Sequence, residues 1–269
     1  MPLNQTLSIL KQLMKITEIT VPNNRFQLVD FFTQQNSFQG LLLRDFLSKK
    51  RLSLAVTRAK EFGFTWRERD TIGNLGAHVY LYPNNRDAYF KDCAQYKILR
   101  EWIFEKEDPT VKLIKLFQQN HFDIDIARSF SGHYSYGVIK VQQVKSRLHV
   151  DDICRLSSWG VAQDQKRQFS CVLMMNKSLQ GGQLRIYNRR YQPSDVSFAY
   201  NFSTKANDGV REEIVSGCEF TDVDLNVGDI FIFPTDYYHQ VLPSEGSELR
   251  TTALVFLSLK SNQKIEAFI

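Results

Sequence analysis

The stretch RLHVDDIC, residues 147–154, places His149 two positions before Asp151 and three before Asp152. In an extended chain, residues i and i+2 project to the same side, so His149 and Asp151 can reach one metal ion together. Asp152, the rival carboxylate, then points away. The pattern alone is weak, because His121, Phe122 and Asp123 form a second one. The surroundings have to separate the two.

Around the first, the chain reads as strands. YGVIKVQQV, FSCVLMMN, GGQLRIYNRRY, DIFIFP, HQVLP and RTTALVFLSL are rich in Val, Ile, Phe, Tyr and Leu. Gly, Pro, Asn and Asp break them up, and most are not separated by any helix-period stretch. This predicts a mainly β fold, an antiparallel sandwich or barrel, with the earlier helices packed on one outer face. His149 is expected to end one strand, His239 to open another, and Arg250 to lie inside the last long one. The glycines of GGQL, Gly181 and Gly182, are expected to turn tightly into a strand.

The half before Tyr134 has more helical character. NSFQGLLLRDFLS reads as a short strand leading to a helix capped by Ser48. In NNRDAYFKDCAQYKILREWIFEKEDP, residues Tyr89, Phe90, Cys93, Tyr96, Leu99, Trp102 and Ile103 recur at threes and fours, one apolar helix face. Asp108 and Pro109 open a further helix as N-cap and first residue, with Val111, Ile114 and Phe117 buried. No repeat or linker divides the chain. It is expected to form one domain over 1–269, a helix-rich support over 1–133 and a β core over 134–260.

Composition limits the partners. The chain has 269 residues, a formal charge of +5, 43% hydrophobic and 23% charged residues. Its basic residues are dispersed, which argues against nucleic acid and fits an anionic small ligand. The four cysteines form no CxxC or CxxH pair, so a structural zinc site is not expected. Without a signal-like N-terminus or a long apolar run, the sequence predicts a soluble cytoplasmic protein with no membrane contact. Oligomeric state is left open.

What favours His149 over His121 lies downstream. Two neutral imidazoles and a carboxylate on one face of an octahedral Fe(II) leave three positions for substrates. His239 can supply the distal imidazole, and Arg250 a cation for the far carboxylate of a chelating organic acid. No comparable pair follows His121.

LHVDD, GGQLRIYN, VGDIFIFP, YHQVLP and RTTALVF together resemble the double-stranded β-helix, or jelly roll, of the Fe(II)/2-oxoglutarate-dependent oxygenases. The resemblance is to the branch that includes the prolyl hydroxylases. NSFQGLLLRDF, AYFKDCAQYKILREWIF and GGQLRIYNRRY are similar to segments of the stand-alone halogenases of hapalindole-type alkaloids. The resemblance implies a dioxygenase using Fe(II), 2-oxoglutarate and O2, with His149, Asp151 and His239 as metal ligands. Arg250 would pair with the C5 carboxylate of 2-oxoglutarate, and Thr252, two residues on, could donate to it. Lys140 or Arg185 would be the substitute cation.

One departure matters. The halogenases carry glycine where this chain has Asp151, which leaves room for a halide. The resemblance therefore implies a hydroxylase, or other C–H oxidant, of a small molecule such as a specialised metabolite or amino-acid derivative. Residues Thr71 to Tyr82, with His78 among them, would border the substrate pocket. Two other readings stand beside it: an oxygenase of protein or nucleic acid, and a non-catalytic cupin-like binding protein. Dispersed charge disfavours the first, and the intact ligand set the second.

Overall fold

RQFSCVLMMN carries an apolar run from Cys171 to Met175 and is buried at every position but the last, the pattern of a strand covered on both faces, and it forms the centre of the larger sheet. The computed structural model of the chain describes residues 14–20, 31–32, 39–67, 72–82, 84–155, 159–198, 209–246, 248–261 and 263–269. Thr71 and residues 36–38 of the first predicted strand lie outside them.

In chain order the strands are β1 (Lys15–Thr20), β2 (Gln39–Arg44), β3 (Thr65–Arg67), β4 (Ile72–Leu75), β5 (Asp123–Ile126), β6 (Val138–Gln142) and β7 (Arg167–Asn176). There follow β8 (Leu184–Arg190), β9 (Phe220–Val223), β10 (Ile230–Pro234), β11 (Tyr237–Val241), β12 (Arg250–Leu259) and β13 (Lys264–Phe268). Among the described residues, the helices of more than two turns are α1 (Lys49–Phe62), α2 (Arg86–Phe104) and α3 (Pro109–Gln119).

The larger sheet runs β1-β2-β10-β7-β12-β6-β4-β3, with β13 beside the far half of β12 and β5 beyond it. The smaller runs β9-β8-β11, and an isolated antiparallel bridge between His149 and His239 extends it past β11. From β6 onward the chain repeatedly crosses between sheets: β6 in the larger, His149 in the smaller, β7 in the larger, β8 and β9 in the smaller. It then returns to the larger at β10, the smaller at β11 and the larger at β12. This is a double-stranded β-helix.

Alternation along β7 and β12 sorts the side chains. Cys171, Leu173, Ala253 and Val255 meet Pro109 and Leu113 of α3 on the outer face. Ser170, Val172, Arg250, Thr252 and Leu254 line a cavity between the sheets. α1 packs on β7 with Leu52, Ala55, Val56 and Ala59 buried.

The caps are as expected. Ser48 accepts from the Arg51 amide, and Asp108 accepts from Thr110 and Val111. The apolar face of α2 differs. Trp102 is 46% exposed, while Arg100 is buried, its guanidinium held by Asp108 at 2.9 and 3.1 Å. A charge satisfied by the next helix's cap takes the place that periodicity assigns to an aromatic ring.

The VGD segment ties the sheet to α1. Asp229, 1% exposed, accepts from Arg44 at 2.7 Å and from the amides of Asp45 and Asn226 at 3.1 Å each. Asp229→Ala strands these donors and should cost about 3 kcal/mol, read as a lower urea midpoint. Asp224→Ala removes only an exposed pair with Lys177 and should shift the midpoint little.

Candidate metal centre

The sequence places His149 at a strand end, but β6 stops at Gln142. The chain crosses between sheets before His149 meets β11. His149 and His239 exchange both backbone hydrogen bonds, at 3.0 and 2.9 Å, and the Asp151 amide donates to Thr235 O at 3.1 Å. These bonds pin the backbone at His149 and Asp151. Asp152 turns away to accept from the Cys154 amide at 2.9 Å, heading the 3-10 turn Ile153–Arg155. His239 sits mid-strand in β11 rather than opening it.

The three side chains converge. Asp151 Oδ2 lies 3.3 Å from His239 Nε2 and 3.9 Å from His149 Nε2. One ligand atom from each residue lies within 4.8 Å of the other two. Both Nδ1 atoms are taken by backbone carbonyls: His149 bonds Arg147 O at 2.7 Å, and His239 bonds Tyr237 O at 2.8 Å. A carbonyl only accepts, so each ring is protonated at Nδ1 and presents the Nε2 lone pair inward, as a metal requires.

Burial, and then the charge of His239, lower the His149 pKa to about 4, so its imidazole is neutral at physiological pH. Burial pushes the Asp151 carboxyl up, but the two imidazoles beside it outweigh this and hold the group well below the usual carboxylate range. Two imidazoles and one carboxylate fit Fe(II) with open positions.

The other end of the cavity is cationic. Arg250, the first residue of β12, is 4% exposed, and its Nε donates to Gly182 O at 2.8 Å. Among the described residues no carboxylate comes within ion-pairing distance of it. Burial lowers its pKa to about 10, so it stays charged at neutral pH. A buried cation that lines a cavity without an internal anion suits an anionic ligand. Thr252 lies beside it on the same face.

Gly182 explains part of GGQL. At φ +74°, a Cβ there would lie 2.8 Å from Ser178 Oγ and 3.1 Å from Arg250 Cδ. The second glycine therefore admits the arginine as well as making a turn, a role that only the folded partner reveals.

The cavity measures about 210 Å³. Of the segment expected to border it, Ile72, Asn74, His78, Tyr80 and Leu81 line it. His78 Nδ1 accepts from the Tyr80 amide. Lys140 also lines the cavity, whereas Arg185 is bound bidentately to Asp222 at 2.7 Å on both arms. His121 is an exposed turn residue at φ +65°, remote from the triad. Sequence reading missed Gln142, Ser146 and Ser170 on the wall; single polar residues carry no signal of the face they occupy.

The family profile of the carrier-protein-independent halogenase WelO5 matches residues 14–268. The chain belongs to this family. As a member of the halogenase family it is an Fe(II)/2-oxoglutarate-dependent oxygenase, and the cluster of His149, Asp151 and His239 fits that metal.

Its similarity to the leucinostatins biosynthesis cluster protein S of Purpureocillium lilacinum is 21% identity over 183 residues, 66% of this chain and 74% of that one. In fold it is similar to an N-substituted L-amino acid dioxygenase of Burkholderia ambifaria AMMD, with 11% identity, TM-score 0.58 and 90% of each chain covered. The form of that enzyme in complex with alpha-KG gives 10% identity and TM-score 0.56, again over 90% of each chain. Among the described residues, no helix is long and apolar enough to cross a membrane.

Proposed function

We propose that this oxygenase hydroxylates, or otherwise oxidises, an unactivated C–H bond of a small molecule, and that it does not halogenate. The observation that carries this reading is the Asp151 carboxylate, held between the two imidazoles at 3.3 and 3.9 Å. It fills the place that the alkaloid halogenases leave to a halide. In this reading His149, Asp151 and His239 hold Fe(II), while Arg250 and Thr252 hold the C5 carboxylate of 2-oxoglutarate. The named chemistry of the Burkholderia dioxygenase and the leucinostatins cluster protein supports an amino-acid derivative or specialised metabolite as substrate. We place the enzyme in the cytoplasm, where Cys93, Cys154, Cys171 and Cys218, none of them in a disulfide, stay reduced.

When bound, Fe(II) and 2-oxoglutarate would activate O2, the oxidant, whose four-electron reduction is matched by oxidation of the keto acid to succinate and carbon dioxide and of one substrate C–H bond. The chain's own work is positioning. Carbonyls of Arg147 and Tyr237 fix the imidazole tautomers, the Gly182 carbonyl aims Arg250, and Val172, Leu184, Phe233 and Leu254 give the cavity apolar walls that exclude water.

Asp151→Gly and Asp152→Gly test the ligand choice. Asp151→Gly should lose most substrate oxidation; any slight chlorination would need the substrate poised nearer the halide. Asp152→Gly should oxidise almost as well as wild type. Product analysis in chloride and bromide decides: halogenated product from the wild type, or full activity of Asp151→Gly beside an inactive Asp152→Gly, would overturn the reading.

A further inference from the structure

Resting on the oxygenase reading, we infer that Asn74, with Gln142 beside it, recognises a neutral amide or lactam group of the substrate. The placement follows from register. Strands β12, β6 and β4 lie side by side, and Arg250 pairs with Gln142, which pairs with Ile72. One row along, Thr252 pairs with Lys140, which pairs with Asn74. Residues opposite one another in a sheet project from the same face, and all six line the cavity.

With strands about 4.8 Å apart, Asn74 stands about 10 Å across the sheet from Thr252. A carboxylate held by Arg250 and Thr252 does not reach it. Asn74 faces the space left for a substrate.

Its chemistry is incomplete without a ligand. Asn74 is 7% exposed, and its carboxamide has no hydrogen-bond partner among the described residues. Gln142 is 6% exposed; its Nε2 donates to Val144 O at 2.8 Å, which leaves Oε1 as an acceptor. Buried carboxamides are ordinarily paired.

A carboxamide sets an acceptor and a donor side by side in one plane. Its complement is a group with adjoining N–H and C=O, the matching by which asparagine reads a base edge. A carboxylate offers acceptors only, and an ammonium donors only. Ile72, Leu81, Leu184 and Val241 on the same walls suit an alkyl or ring substituent flanking the amide.

The test uses the full chain loaded with Zn(II), a redox-inert stand-in, and 2-oxoglutarate. Three probes on one skeleton are titrated by saturation-transfer NMR: N-methylcyclohexanecarboxamide, cyclohexanecarboxylate and cyclohexylmethylammonium. The amide should bind about tenfold tighter than either ion. Asn74→Leu should remove that preference while 2-oxoglutarate binding, followed by calorimetry, stays at the wild-type value. Asn74→Asp, nearly the same size, should remove it too and guards against a folding defect in the first variant.

Equal binding of the three probes, tightest binding of the carboxylate, or unchanged amide affinity in both variants overturns the assignment. A parallel fall in 2-oxoglutarate affinity also overturns it, by placing Asn74 in the cosubstrate site. Wild-type protein that fails to bind 2-oxoglutarate with metal removes the oxygenase reading itself, and this one with it.

Discussion

His239→Ala should give no visible charge-transfer band when Fe(II) and 2-oxoglutarate are added anaerobically, under conditions where the wild type gives one. The substitution removes one of three converging ligand atoms. Loss of a residue that merely orients a ligand costs about 10–100-fold in metal affinity; loss of the ligand itself should cost more. His239 also exchanges backbone bonds with His149, and alanine keeps those, so the β11 ladder survives and the fold with it. His149→Ala should behave alike. His121→Ala, on an exposed turn, should keep the band, and its loss there alongside retention in His149→Ala would mean the metal lies elsewhere.

The second large effect belongs to Arg250. Leucine at this position fills much of the same space and touches none of the three metal ligands, yet leaves a buried ligand carboxylate with no cation. By analogy with broken charge pairs at interfaces, the loss is about 2–5 kcal/mol, a rise of roughly 30-fold to several thousand-fold in the 2-oxoglutarate concentration required. Iron affinity without cosubstrate should change little. Succinate release titrated against 2-oxoglutarate reads the effect. An unchanged requirement would pass the role to Lys140, which shares the cavity; Arg185 is occupied by Asp222.

The β core was legible because its strands are apolar runs bounded by glycine, proline and asparagine, and such runs have few other uses. Helix starts at Ser48 and Asp108 were legible because capping is local chemistry. What failed depended on long-range partners. Trp102 obeys the helix period yet is exposed, because Arg100 finds Asp108 one helix on.

At the site, the i, i+2 geometry of His149 and Asp151 could be read from spacing. The crossing that delivers them to β11 could not, since it depends on which sheet accepts residue 149. Asn74 could be read only as one of the Thr71 to Tyr82 segment, and Gln142 not at all, for a similar reason. Their register opposite Lys140 and Arg250 is a property of three strands distant in sequence.

Among the described residues, the carbonyl of Gly182 holds Arg250 by a single neutral contact, and no carboxylate balances the guanidinium. An arginine committed to an internal ion pair would have to surrender that partner before taking a ligand. In the role proposed for Arg250 the anion would be bound without such an exchange, and the relief from burying the charge would appear on loading. By mass action, cosubstrate at 100 times its dissociation constant would raise the folded state's advantage by about 2.7 kcal/mol. On that proposal, abundance of the enzyme in a cell would be tied to the supply of its keto acid, through resistance to unfolding and proteolysis, before any turnover takes place.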